Sequence, residues 1–150
     1  MPVIQVTTRI QAPIERCFDL ARDIDLHTHS LDKTGEKAVA GVTSGLIGRG
    51  EEVTWEATHF GIRQRLTSRI TSFDRPHSFR DSMVRGAFAS FDHDHVFQQA
   101  DGVTTMTDVF DCRSPLGILG RLADVLFLER YLTRLIETRA AAVRSAAESG

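Results

Sequence analysis

A chain of 150 residues, 41% of them apolar and 25% charged, describes one soluble globular domain over 1–150, able to bury roughly two-thirds of its unfolded surface. The formal net charge of −2 contains no run of like charges; arginines occur in strand positions (Arg63, Arg65, Arg69) and along the last helix, but acids are interspersed in the chain, which disfavours nucleic-acid binding through phosphate neutralisation. No stretch approaches the ~18 uninterrupted apolar residues of a membrane span; the opening MPVIQVTTRI lacks a basic signal-peptide start; Cys17 and Cys112, without CxxC spacing, read as reduced, buried thiols of a cytoplasmic protein.

In chain order, Val3–Ile10 sets Ile4, Val6 and Thr8 against Val3, Gln5 and Thr7, the period of a strand. Ala12-Pro13 ends it. Pro13 suits the opening turn of a helix, where its missing N–H is not needed, and Glu15 favours the positive N-terminal end. Ile14, Cys17, Phe18 and Ala21 make that short helix amphipathic, and a second helical or irregular turn follows over 24–31. Residues 37–42 read as a weak strand, and Gly41, Gly45, Gly48 and Gly50 mark a glycine-rich connection. From Glu51 the pattern is a meander. Val53, Trp55, Ala57 and His59 alternate with Glu52, Thr54, Glu56 and Thr58, and Phe60-Gly61 turns the chain. Ile62, Gln64, Leu66, Ser68 and Ile70 then alternate with polar residues as far as Thr71, Asp74-Arg75-Pro76 makes a turn, and 77–84 forms another strand before Arg85-Gly86. Strands joined by turns this short are antiparallel neighbours.

The hairpin between Met83 and Cys112, joined at Asp101-Gly102, carries the most informative pattern. One strand sends Phe91, His93, His95 and Phe97 to a single face, and its partner sends Met106, Asp108 and Phe110 to the same one. An ordinary core face is apolar throughout, because a buried charge is costly unless paired. Two imidazoles and a carboxylate set into an apolar wall suit the lining of a small-molecule pocket. After Ser114-Pro115 roughly thirty residues of helix are expected, a rod of about 45 Å. Its first half, 116–128, is apolar nearly all round; its second narrows to Leu132, Leu135, Ile136, Ala140 and Val143, the stripe of a helix lying on a sheet. The expected architecture is α+β: a curved seven-stranded antiparallel sheet wrapped around a long C-terminal helix, with two short helices after the first strand. A single helix about 10 Å wide leaves a gap in so wide a concave surface.

At these residues the chain resembles the START/SRPBCC superfamily, the helix-grip fold shared with the birch-pollen allergen and polyketide cyclase/dehydrase-like proteins. The segment Ala12-Pro13-Ile14-Glu15-Arg16-Cys17-Phe18 matches the superfamily's "apolar-Pro-x-Glu-x-Val-Phe" start. The strand from Phe91 to Phe97, Thr107-Asp108 after a glycine turn, and Ser114-Pro115-Leu116-Gly117 before the last helix complete the likeness. The resemblance implies the helix-grip fold and, for activity, spans lipid carriers, hormone receptors, cyclases and hydrolases.

Expected pocket-lining residues are Trp55, Leu66, Phe79, Met83, Phe91, His93, His95, Met106, Asp108 and Phe110 from the sheet, with Leu119 and Leu122 from the helix. His59 and Asp81 stand on faces that can join them. His93, His95 and Asp108 are also the candidate acid–base groups of a cyclase- or dehydratase-like enzyme acting on a carbonyl compound. A metal site from the same three wants a further strong ligand, so no metal and no cofactor is expected. His27 and His29, beside Asp23, Asp25 and Asp32, read as solvated residues of a segment that can gate the pocket. Glycine signatures of esterases, nucleotide hydrolases and dinucleotide enzymes do not occur. The leading expectation is a protein that binds a small hydrophobic ligand such as a lipid, polyketide or aromatic compound. Enzymatic turnover in the same cavity comes second. Third is a partner-binding module, or a homodimer, using the apolar 116–128 surface.

Overall fold

The chain's computed structural model, which describes residues 3–113 and 127–149, joins seven alternating segments into one antiparallel sheet. The strands are β1 (Val3–Ile10), β2 (Lys37–Gly41), β3 (Glu52–His59), β4 (Ile62–Asp74), β5 (Ser78–Arg85), β6 (Ser90–Ala100) and β7 (Val103–Arg113), in the order β1-β7-β6-β5-β4-β3-β2. Each pairs with its chain neighbour except β1, which closes on β7. Two short helices, α1 (Ile14–Ala21) and α2 (Ile24–Ser30), follow β1, and α3 (Glu129–Glu148) packs on β1, α1 and α2. This is the expected α+β helix-grip architecture.

Local chemistry explains the elements. Pro13 sits extended at the N-cap of α1, and the first-turn N–H of Ile14 donates to Oε1 of Gln99 on β6 at 2.8 Å. Ile14, Cys17, Phe18 and Ala21 all turn inward, as their helical spacing requires. Asp23 caps α2, its carboxylate accepting from the backbone of Asp25 and Leu26. Two two-residue turns, Phe60-Gly61 and Asp101-Gly102, carry positive φ at both positions, the geometry that matches strand twist in tight hairpins.

Two departures from the sequence reading have a physical cause. The strand expected to stop near Thr71 continues to Asp74, because the β4–β5 register slips between Ile70 and Ser72. That bulge resets the alternation and brings Phe73 inward beside Phe18. The last helix is described from Glu129; Ser114, Pro115, Leu119, Leu122 and the apolar run over 116–126 lie outside the described residues.

The core has two parts. The first gathers Phe18, Phe79, Phe97, Ile10, Ile70 and Met106 under α1 and the C-terminal half of α3. The second gathers Ile4, Phe91, Phe110, Cys112 and Leu132, flanked by the partly buried Leu66, Met83, Phe88 and Ile136. Three strands cross from one part to the other through ionisable residues: Phe79–Asp81–Met83 on β5, Phe97–His95–His93–Phe91 on β6 and Met106–Asp108–Phe110 on β7.

Candidate ligand cavity and its polar wall

Between the inner face of the sheet and α3 lies a cavity of about 350 Å³, within the size range of small-molecule sites. Phe88, Phe91, Phe110, Leu132, Leu135 and Ile136 supply much of its apolar wall. Its polar contributions come from His27, Glu36, His59, Ser68, Asp81, His93 and Arg139, among others. Tyr131 and Phe60 stand where it meets solvent, with Phe60 half exposed.

Among the described residues, those expected to line a pocket divide into four groups. Trp55, Leu66, Phe91, His93 and Phe110 lie on the cavity wall, as do His59 and Asp81. Phe79 and Met106 instead fill the first core part, 2% and 1% exposed, because α1 delivers Phe18 onto that end of the sheet. Met83 packs in the second part without reaching the cavity. His95 and Asp108 are buried directly behind His93 rather than on the surface of the hollow.

Strand register assembles the polar wall. Asp81 pairs directly across from His93, and His95 directly across from Asp108. Oδ1 of Asp108 lies 3.0 Å from Nε2 of His93 and 3.1 Å from Nδ1 of His95. The imidazole of His95 is sandwiched between the imidazole of His93 and the phenyl ring of Phe79, with ring centroids 3.9 and 4.1 Å away. Its Nε2 lies 3.5 Å from Oδ2 of Asp81 and, fully buried, has no hydrogen-bond partner among the described residues.

Burial opposes charge on all four groups. At His93 burial prevails, aided by repulsion from His95, and holds the imidazole below its ordinary value. At His95 the contacts with Asp108 and Asp81 outweigh burial and raise it. The imidazoles overcome burial at the carboxylates too, drawing Asp81 down to about 2 and Asp108 well below the carboxylate range. The wall therefore sets two carboxylates that favour their charged form against one imidazole, His95, whose protonated form is favoured and another, His93, whose neutral form is favoured.

His27 departs from its expected solvated position. Its ring stacks on Trp55 at 4.1 Å and its Nε2 lies 2.9 Å from Oε1 of Glu36. Burial, then the charge of Arg139, lowers its pKa against the pull of Glu36. His29, two residues further along α2, is exposed. Arg139, Tyr131 and Glu36 escaped the sequence reading. The signal that could have found two of them was their place beside apolar positions, since Arg139 precedes Ala140 and Tyr131 precedes Leu132 in the α3 stripe. Across the hollow, Nδ1 of His59 bonds the hydroxyl of Tyr131, joining the β3–β4 turn to α3.

Solved structures share this fold. Protein TTHA0849 from Thermus thermophilus superposes with a TM-score of 0.75 at 21% identity, over 97% of this chain and 99% of its own. A START superfamily protein from Mycobacterium smegmatis gives 0.72 at 10% identity, covering 98% and 97%. Major latex-like protein 151 from Panax ginseng gives 0.69 at 14%, covering 97% of each chain. Identities this low speak to fold alone, and no curated protein is significantly similar in sequence. The sequence itself matches a family profile over residues 1–148, and the chain accordingly belongs to the polyketide cyclase/dehydrase and lipid transport family.

Proposed function

We propose that this protein binds a small, mostly apolar molecule between its sheet and α3, in a cytoplasmic setting. The cavity carries the reading: about 350 Å³ of hollow, walled mainly by aromatic and aliphatic side chains and interrupted by polar groups such as His27, Asp81 and His93. Burial of the ligand's apolar surface supplies affinity at about 25 cal/mol per Å², less the ordering cost. His93, Asp81 and His27 orient its polar end. Buried thiols at Cys17 and Cys112 suit a reducing compartment.

A second reading, turnover of that molecule by a cyclase- or dehydratase-like step, is favoured by one specific observation. His93 faces the cavity with the Asp108 carboxylate 3.0 Å behind its Nε2, the relation of a general base to the group that orients it.

One experiment addresses both. Native mass spectrometry of protein from its own host is expected to retain a co-purifying small molecule, and ANS or lauric acid to bind stoichiometrically and displace it. Failure of both probes, together with an empty mass spectrum, overturns the binding reading. Incubating the recovered molecule with wild type and with His93→Gln separates the two readings: conversion by the wild type alone establishes turnover, and unchanged molecule in both leaves a binder.

A further inference from the structure

We propose that Asp81, His93 and His95 form a mononuclear site for a divalent first-row transition ion, open toward the cavity. One donor atom from each residue lies within 4.8 Å of the others. Two imidazole nitrogens and one carboxylate oxygen suit zinc, iron(II) or cobalt(II), and three protein ligands leave a coordination position for a further molecule. Asp81 and His93 stand on the cavity wall, so that position faces whatever occupies the hollow.

The sequence reading placed Asp108 in the first coordination sphere beside His93 and His95 and found no further strong ligand. The structure gives Asp108 a different role. It holds Nε2 of His93 and Nδ1 of His95, leaving His93 Nδ1 and His95 Nε2 for an ion. A carboxylate that fixes the tautomer and orientation of ligating imidazoles from behind is the usual support of a histidine metal site. Here one carboxylate supports both rings.

Two further observations point to an ion. Nε2 of His95 is fully buried without a hydrogen-bond partner among the described residues, on a residue only 1% exposed. An orphaned nitrogen there is costly unless something occupies it. Its 3.5 Å separation from Oδ2 of Asp81 is long for a hydrogen bond. Two ligands each ~2.1 Å from a tetrahedral centre stand about 3.4 Å apart, so the pair is spaced as ligands of one ion. Charge agrees: the carboxylates of Asp81 and Asp108 lie against the imidazoles of His93 and His95, and a dication neutralises them. Arg139, a cationic group whose charge acts on Asp81, is already committed by its Nη2 to the carbonyl of Ala21 at 2.7 Å.

The test takes the whole chain, stripped with EDTA and titrated with cobalt(II) by calorimetry and visible absorption. One ion per chain is expected, with ligand-field bands and displacement by zinc. Asp81→Asn and His93→Gln should each weaken binding at least tenfold, and Asp108→Asn by 10- to 100-fold, the range for loss of an outer-shell partner. A His29→Gln/His77→Gln double variant, altering two histidines away from the site, should bind as wild type does. No uptake by wild type up to about 100 µM cobalt(II) overturns the proposal, as does equal uptake by Asp81→Asn or loss of uptake in the double variant. In case the buried variants fail to fold, imidazole nitrogen NMR of wild type with zinc gives an independent reading. Resonances of His93 and His95 should move while those of His27 and His59 stay; any other pattern overturns the site. ANS binding by the stripped protein measures the cavity separately from the ion.

Discussion

At Phe60 the backbone takes φ 55°, in the left-handed region that a bulky side chain adopts only at a cost of order 1–3 kcal/mol. The return is contact across the cavity mouth: its ring lies 4.6 Å from that of Tyr131 and 5.3 Å from that of Phe127. Two aromatic pairs at about 0.5–1.5 kcal/mol each nearly offset the strain. Phe60→Asn, placing a residue favoured in this turn, should therefore leave the thermal midpoint within about 4 °C of wild type. It should also speed ANS dissociation several-fold, because the bridge from the β3–β4 turn to α3 is weakened. Calorimetry and stopped-flow fluorescence read the two effects; unchanged dissociation would show that Phe60 does not retain ligand. Residue faces were open to sequence reading in a way that residue partners were not. Alternation placed Asp81 on the inner side of its strand, yet its position opposite His93 depends on the β5–β6 register. The connection between those strands, residues 86–89, is too long to set a register as Asp101-Gly102 does for β6 and β7.

Among the elements, α1 is fastened at both ends. Nε of Arg16 donates to the carbonyl of Ala147 at 2.9 Å, tying α1 to the last turns of α3. Asp19 accepts two bonds from Arg75, at 3.0 and 2.7 Å, in the turn between β4 and β5, and one from Arg22 at 2.9 Å. The Arg75 contact, only partly opposed by burial, holds the Asp19 carboxyl below its ordinary value. A carboxyl with a depressed folded pKa stabilises fully above its unfolded pKa, near 4, and loses that contribution as pH falls through the folded value. Both partners are partly exposed, so the stabilisation is at most about 1 kcal/mol. Asp19→Asn should be less stable than wild type by up to that amount at pH 7, with the gap closing toward pH 3. Urea denaturation at the two pH values measures it; an undiminished gap at low pH would dissociate the loss from the charge. Element types were largely readable because Pro13, Glu15 in the first turn after it and strict alternation each dictate local geometry. The extension of β4 was not, since a bulge defeats a period-two pattern, nor was the inward turn of His27, which follows from Trp55 on a distant strand.

The whole molecule packs tightly at one end and stays hollow at the other. Phe18 from α1 closes the first core part against Phe73, Phe79 and Phe97, with ring centroids between 5.2 and 5.4 Å. Past the Asp81–His93–Asp108 layer, among the described residues, α3 presents Leu132, Leu135 and Ile136 across the cavity instead. A hollow forfeits stability, up to about 1 kcal/mol for each ~40 Å³ at ~24 cal/mol per Å³. Under the proposed binding function, an apolar void retained at that cost serves a ligand, and filling it sets function against stability. Leu135, half-buried on the cavity wall, is the place to fill it. Leu135→Trp extends an indole into the space. It should raise the thermal midpoint by a few degrees, at about 2–4 °C per kcal/mol for a chain of this size. The same indole should weaken ANS and lauric acid binding at least tenfold, since it takes the volume their apolar parts require. Scanning calorimetry and fluorescence titration decide it: a lower midpoint with binding unchanged would mean that ligand sits elsewhere and that this space is not its site.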